Sequence, residues 1–275
     1  MRELGTNKEN TWCTGCGNFG ILNAVKKAIN SLVAEGVPLA DIVMTSGIGC
    51  HGKIFDYLAL SGIYGLHGRA IATAEGIKLA NPKLTVISFG GDGDSLGEGL
   101  EHTLFAAKRN IDLTLILHNN GNYGLTTGQF SPLSTLGYKG LSTPFGSIEN
   151  PFRPIPLLIE AGATFAARGF SAKPDHLASL IHQAALHKGF SFIEVMQPCV
   201  SYNNNYTELN NTVKMLDIVP ANLNQAIDLA GDSDNVYLGV FVRKQLPVYN
   251  ESLLGSFIPV KERFTLAQRR KMLGS

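Results

Sequence analysis

The chain has 275 residues, 44% apolar and 16% charged, so it can bury a substantial core while carrying much less charge than the usual quarter. With 23 basic against 22 acidic residues, it lacks the electrostatic footprint of a protein that binds nucleic acid or a membrane surface. Met1–Asn10 is polar without an apolar h-region, and no apolar run reaches the length of a membrane span, so a cytoplasmic protein is expected.

In chain order, apolar residues Ile21, Leu22, Val25, Ala28, Ile29, Leu32 and Val33 recur at helical spacing and predict a helix over 19–33. Residues 41–44 predict a short strand that runs into the loop Ser46-Gly47-Ile48-Gly49-Cys50. A helix follows over about 69–80, stopped by Asn81-Pro82. Leu84–Phe89 is a nearly continuous apolar run, as in a strand buried on both faces, and leads into Gly90-Gly91-Asp92-Gly93-Asp94 and a helix to about Arg109. Asp112–Leu117 repeats the buried-strand signal and ends in His118-Asn119-Asn120.

The stretch 121–152 is rich in Gly, Ser, Thr and Pro. Because it directly follows a strand end, it is read as an active-site loop. Helices over 156–161 and 175–187 and a strand over 191–196 continue the alternation. After Pro198-Cys199 come an asparagine-rich segment to about residue 211, a helix over 221–229, a strand over 236–242 and a basic tail, Lys261–Lys271. The alternation predicts an α/β fold, a mostly parallel sheet with helices on both faces, whose ligands sit outside the carboxyl ends of the strands. The Cys50, Asp92 and Asn120 loops all lie at such ends.

Gly91-Asp92-Gly93 opens a helix after a buried strand, a setting in which backbone N–H groups approach phosphate oxygens. Phosphate alone would be repelled by Asp92, but a Mg²⁺ between carboxylate and diphosphate makes sense of it. Asn120, one crossover later, can give a second oxygen, and the backbone carbonyl of Asn122 a third. A Gly-Asp-Gly followed about thirty residues later by Asn-Asn resembles the thiamine diphosphate motif.

Four cysteines in an expected cytoplasmic chain point to metal or redox chemistry rather than disulfides. Cys13 and Cys16 form a close pair, whereas Cys50 and Cys199 are singletons at predicted strand ends. Zinc sites usually use two close pairs, so this spacing favours a [4Fe–4S] cluster while leaving structural zinc open.

At these residues the sequence resembles the β subunit of 2-oxoacid:ferredoxin oxidoreductases, especially the 2-oxoglutarate type. The resemblance runs through Trp12-Cys-Thr-Gly-Cys-Gly, Ser46-Gly-Ile-Gly-Cys, Leu66-His-Gly-Arg, Gly91-Asp-Gly-Asp, Asn119-Asn, Tyr123-Gly-Leu-Thr-Thr-Gly-Gln and Pro198-Cys-Val-Ser-Tyr-Asn, over roughly residues 10–250. It implies that 1–275 is a single thiamine diphosphate-binding domain, with a cluster loop at about 10–18 and a C-terminal extension at about 200–275. It further implies that Cys13, Cys16, Cys50 and Cys199 hold one [4Fe–4S] cluster, and that Asp92, Asn120 and Asn122 bind Mg²⁺. Ile48, Gly49, Cys50, His51, His67, Gly91, Gly93, Asp94, Gly124 and Leu125 would line thiamine diphosphate, with His67, His51 and Lys53 as candidate catalytic groups.

The implied reaction is oxidative decarboxylation of a 2-oxoacid with coenzyme A to acyl-CoA and CO₂, or its reverse, with electrons leaving through the cluster to ferredoxin. The glutamate that activates the cofactor comes from an α subunit in this family, so an αβ or α2β2 assembly is expected and the chain alone should be inactive. Three positions depart from the family: Thr14 for proline, His51 for serine, and Thr127 for a lysine present in many members. The last removes a cation that could meet a distal substrate carboxylate, leaving Lys53 for that role and pyruvate or another 2-oxoacid as the alternative substrate. Two other readings stand beside this one: a non-redox thiamine enzyme half with structural zinc, and a non-catalytic cysteine-metal scaffold.

Overall fold

The alternation of strands and helices folds into one eight-stranded sheet in the computed structural model, which describes residues 4–262 and 265–272. Met1–Glu3 of the polar N-terminal stretch and Arg263 of the basic tail lie outside the described residues.

The chain runs α1 (Asn18–Ala34), β1 (Ile42–Ser46), α2 (Ile54–Tyr57), β2 (Ser61–Tyr64), α3 (Ala70–Ala80), β3 (Thr85–Gly91), α4 (Leu100–Arg109) and β4 (Thr114–Asn119). It continues with α5 (Pro154–Glu160), β5 (Phe165–Phe170), α6 (Pro174–Leu186), β6 (Ser191–Met196), α7 (Tyr206–Thr212), β7 (Val213–Met215), α8 (Leu223–Ala230), β8 (Val236–Arg243), α9 (Tyr249–Leu254) and α10 (Leu266–Met272). The strand order is β2-β1-β3-β4-β6-β5-β8-β7, parallel except that β8 runs antiparallel to β5.

Period-two burial on strands sandwiched between helices makes two cores. Ile87, Ile116 and Ile193 meet α1 and α6 on one face, while Val86, Leu115 and Phe192 meet α3, α4, α5 and α8 on the other. Among the described residues, no helix is long and apolar enough to cross a membrane.

Four features depart from the sequence reading. Edge strand β2 is only four residues long and exposed throughout, so it has no buried-strand signature. Strand β5 is buried at all six positions, but Arg168, Gly169 and its alanines masked it. A π-helical turn, Asp94–Glu98, stands between the glycine turn and α4, where a continuous helix was expected. In the asparagine-rich segment, α7 and β7 form, and β7 joins the same sheet as β8.

Arg168 is explained by its partner: its Nε donates to Glu194 Oε2 at 2.7 Å across β5 and β6, both side chains being buried. Glu194 Oε1 accepts the Asn119 amide at 2.8 Å, next to the expected metal ligand Asn120. Glu194→Ala is expected to cost about 3–5 kcal/mol, because it leaves the Arg168 charge buried and uncompensated. Urea unfolding at neutral pH measures this, and a cost under about 1 kcal/mol would contradict it.

The registers bring the strand ends to one edge. Ser46 pairs with Phe89 and with Tyr64, Gly91 with His118, and Asn119 with Met196. The loops that leave β1, β3, β4 and β6 therefore emerge side by side.

Candidate active site

At that edge the loops enclose a cleft with about 440 Å³ of free space. Ile48, Gly49, Cys50, His51, His67, Gly91, Gly93, Asp94, Gly124 and Leu125 all border it, and so do Asp92, Asn120 and Asn122. His118, Tyr123 and Thr126 also line the cleft but were not singled out from the sequence. His118 is the last inward position of β4 before Asn119-Asn120, so a reading of strand alternation could have found it. Lys53 is absent from this lining and borders the neighbouring cysteine pocket instead, where its Nζ donates to the Thr11 carbonyl at 3.2 Å.

The donor set fits a metal–diphosphate group. Asp92 is buried, with Ser131 Oγ donating to its Oδ2, and burial pushes its carboxyl up to about 6 despite that hydrogen bond. A carboxylate buried this deeply is a costly arrangement that a divalent ion would relieve. Asn122 Oδ1 is buried with no donor. The Asn120 side-chain oxygen accepts Asn122 N–H at 3.1 Å, and a second lone pair remains available. At Gly93 a Cβ would stand 2.1 Å from the Tyr123 ring, whose hydroxyl donates to the Gly93 carbonyl at 3.2 Å. Only glycine allows that close approach of ring and turn.

Asp94 ties the loops together. Its Oδ1 accepts Ile48 N–H at 3.1 Å and Gly68 N–H at 2.7 Å, while His51 Nε2 stands 3.4 Å from its Oδ2 without hydrogen-bond alignment. Burial opposes the charge, but His51, the Gly68 N–H and His67 outweigh it and hold the Asp94 carboxyl below the usual carboxylate range. The His51 ring fills the space a Cβ would need at Gly49 or Gly91. His118 gives its Nδ1 proton to Asn18 Oδ1 at 2.8 Å, and burial, then His51, keep its ring neutral.

Beside the cleft, Cys13, Cys16, Cys50 and Cys199 line a second pocket. The loop after β1, the loop after β6 and the turn before α1 converge there. Burial pushes the Cys16 thiol up to about 11, with the other three cysteines adding to the shift and the Asn18 N–H opposing it. Burial also raises Cys50, against the charge of Lys53. Among the described residues, no three His, Cys, Asp or Glu side chains group tightly enough for one bare metal ion. The Trp12 indole donates to the Cys50 carbonyl at 2.7 Å and packs edge-on against Phe19 and Tyr57. Cys50, Asn120 and Gly124 border both cavities, so cleft and cysteine pocket share a wall. The asparagine-rich segment, without a role in the sequence reading, buttresses this wall: Asn203 Nδ2 donates to the Asn120 carbonyl at 2.8 Å.

Comparison with known proteins finds a matching family and similar chains. The family described as thiamine pyrophosphate enzyme, C-terminal TPP binding domain, matches residues 47–195. A 2-oxoacid:ferredoxin oxidoreductase subunit beta from Sulfolobus sp. is 45% identical over 90% of this chain and 87% of its own length. One from Saccharolobus solfataricus is 51% identical over 72% of this chain and 65% of that protein. The structure of a 2-oxoglutarate:ferredoxin oxidoreductase from Magnetococcus marinus, with 2-oxoglutarate, coenzyme A and succinyl-CoA bound, superposes with a TM-score of 0.86. It is 32% identical and covers 99% of this chain and 90% of the other.

Proposed function

Because this chain belongs to the β subunits of the 2-oxoacid:ferredoxin oxidoreductases, enzymes that work with an α partner, we propose that it holds thiamine diphosphate, Mg²⁺ and one [4Fe–4S] cluster for oxidative decarboxylation of a 2-oxoacid. The observation that carries this reading is the shared wall of Cys50, Asn120 and Gly124. A cleft and a four-thiol pocket that share a wall would hold two centres near enough for electron transfer, which supports this reading.

Thiamine diphosphate supplies a nucleophilic carbon and an electron sink, and the cluster accepts electrons one at a time; the protein's part is orientation and electrostatics. Asp92, Asn120 and the Asn122 carbonyl would hold Mg²⁺ against the diphosphate, with Gly91 and Gly93 giving backbone access. Of the lining residues, exposed Leu125 and half-buried His67 would be open to a substrate, while buried His51 stands 3.4 Å from Asp94 Oδ2. Cys13, Cys16, Cys50 and Cys199 would ligate the cluster as thiolates, releasing protons on assembly. Their spread suits a four-iron cluster better than a single zinc ion. A cytoplasmic setting and ferredoxin as the electron acceptor belong to the same reading.

2-Oxoglutarate is the proposed substrate, as in the Magnetococcus enzyme, with coenzyme A taking the acyl group. One observation favours a monocarboxylic 2-oxoacid such as pyruvate instead: among the described residues no lysine or arginine lines the cleft, since Thr127 stands outside it and Lys53 borders the cysteine pocket. The test uses the αβ enzyme purified without oxygen, with coenzyme A present and one 2-oxoacid added after another. Bleaching of cluster absorbance by 2-oxoglutarate is expected, and the chain alone should be inactive with every acid. Bleaching by pyruvate but not 2-oxoglutarate selects the second substrate. No iron or sulfide, or no bleaching by any 2-oxoacid, defeats the reading.

A further inference from the structure

The segment between β6 and α7 does more than deliver Cys199. Ser201 Oγ donates to Cys13 Sγ at 3.3 Å, and Gln197 Nε2 lies 3.6 Å from Cys16 Sγ, within reach of an N–H···S hydrogen bond. Gln197 is buried, and its second amide proton goes to the Pro198 carbonyl at 2.9 Å, so the amide is locked with its donors pointing at sulfur and carbonyl. The turn that carries Cys13 and Cys16 is itself pinned to this segment. Gly17 N–H donates to the Pro198 carbonyl at 3.2 Å, and the Tyr206 hydroxyl donates to the Gly15 carbonyl at 3.2 Å. Neither Ser201 nor Gln197 borders the cofactor cleft. Among the described residues, no side-chain donor reaches the sulfurs of Cys50 or Cys199, so side-chain hydrogen bonding is confined to the Cys13–Cys16 pair.

We propose that Ser201 and Gln197 are redox-tuning residues, whose hydrogen bonds to the Cys13 and Cys16 thiolates raise the reduction potential of the cluster. This rests on the proposed function, in that the four thiolates must hold a [4Fe–4S] cluster. When the cluster passes from the 2+ to the 1+ state it takes up one electron, supplied in the reaction by substrate oxidation and in a titration by dithionite. No bond to Ser201 or Gln197 forms or breaks. The added charge spreads onto the thiolate sulfurs, and a donor aimed at them stabilises the reduced form more than the oxidised one. Hydrogen bonds to sulfur and solvent exposure are established determinants of cluster potential. Both apply here, since Cys13 is exposed while Cys16 is only partly so.

The experiment is an EPR-monitored dithionite titration of the reconstituted αβ enzyme carrying Ser201→Ala, Gln197→Met or Ser201→Thr. Ser201→Ala and Gln197→Met should each shift the midpoint to more negative values. Ser201→Thr, which keeps the hydroxyl, should titrate with the wild type. Iron and sulfide content is measured on every sample, and Gln197→Met, which keeps most of the side-chain bulk, decides the matter should Ser201→Ala fail to retain iron. Wild-type midpoints in fully loaded Ser201→Ala and Gln197→Met enzymes overturn the proposal while leaving the cluster assignment intact. Wild-type enzyme without iron would instead overturn the function on which it rests.

Discussion

Asp92→Asn in the αβ enzyme is expected to weaken Mg²⁺-dependent binding of thiamine diphosphate by roughly two to four orders of magnitude. Removing one charge from a buried, compensated pair costs about 3–5 kcal/mol, and each 1.4 kcal/mol or so is tenfold in affinity. The same substitution should leave the apoprotein at least as stable. Asp92 is buried and pushed up to about 6, so the folded state holds the proton more tightly than the unfolded chain does. Its cost to stability is absent below about pH 4, grows as pH rises toward 6, and is fully present above that. Asparagine removes this cost, so melting at pH 8 without cofactor should stay level or rise, while at pH 4 the two proteins should match. Calorimetric titration of the cofactor in Mg²⁺ and thermal melts at both pH values separate lost ligation from lost folding. Near-normal cofactor affinity in Asp92→Asn would remove this residue from the metal site.

Cys199→Ser should have the opposite signature. Cys199 borders the thiol pocket but not the cofactor cleft. Iron and labile sulfide are expected to fall to background, and ferredoxin reduction with them, while thiamine diphosphate binds nearly as tightly as in the wild type. Serine is close in size and its oxygen is a harder ligand than thiolate, which disfavours iron–sulfur ligation. Cys199 is buried, so the serine hydroxyl needs a hydrogen-bond partner there, and a thermal melt checks that the variant stays folded. Metal analysis with cofactor titration on one preparation checks both halves. Retention of a full cluster in Cys199→Ser would show that the fourth ligand lies elsewhere.

The two outcomes are expected to differ because the cleft and the thiol pocket are separate cavities with one wall between them. Gly124 is one of the residues of that wall. A Cβ there would sit 3.2 Å from Asn122 Oδ1, 3.4 Å from Cys50 Sγ and 3.8 Å from Cys199 Sγ. Asn122 and two thiols therefore meet around a residue with no side chain.

Much of this was legible in the sequence because its signals are local. Buried parallel strands write themselves as apolar runs, as in 84–89 and 112–117, and a glycine turn at the end of such a run marks a phosphate-type site wherever the fold places it. The thirteen or so residues expected around cofactor and metal border one cleft because each follows a strand end, and parallel strands present those ends at one edge. What the sequence could not show depended on partners distant along the chain. Strand β5 reads poorly because Arg168 interrupts it, and Glu194 on β6, with the Ala230 carbonyl, makes that charge acceptable in a core. His118 and Tyr123 look like ordinary strand and loop residues until register and turn aim them into the cleft.

Lys53 is the converse case. Proximity to Cys50 along the chain suggested a substrate contact, but the short helical turn His51–Lys53 rotates it away from His51 and toward the cysteines. Motif spacing thus determined which chemistry this protein carries. The register of β1, β3, β4 and β6 decided that the cleft and the thiol pocket share a wall, because hydrogen bonding between strands sets distances that no run of residues along one strand encodes.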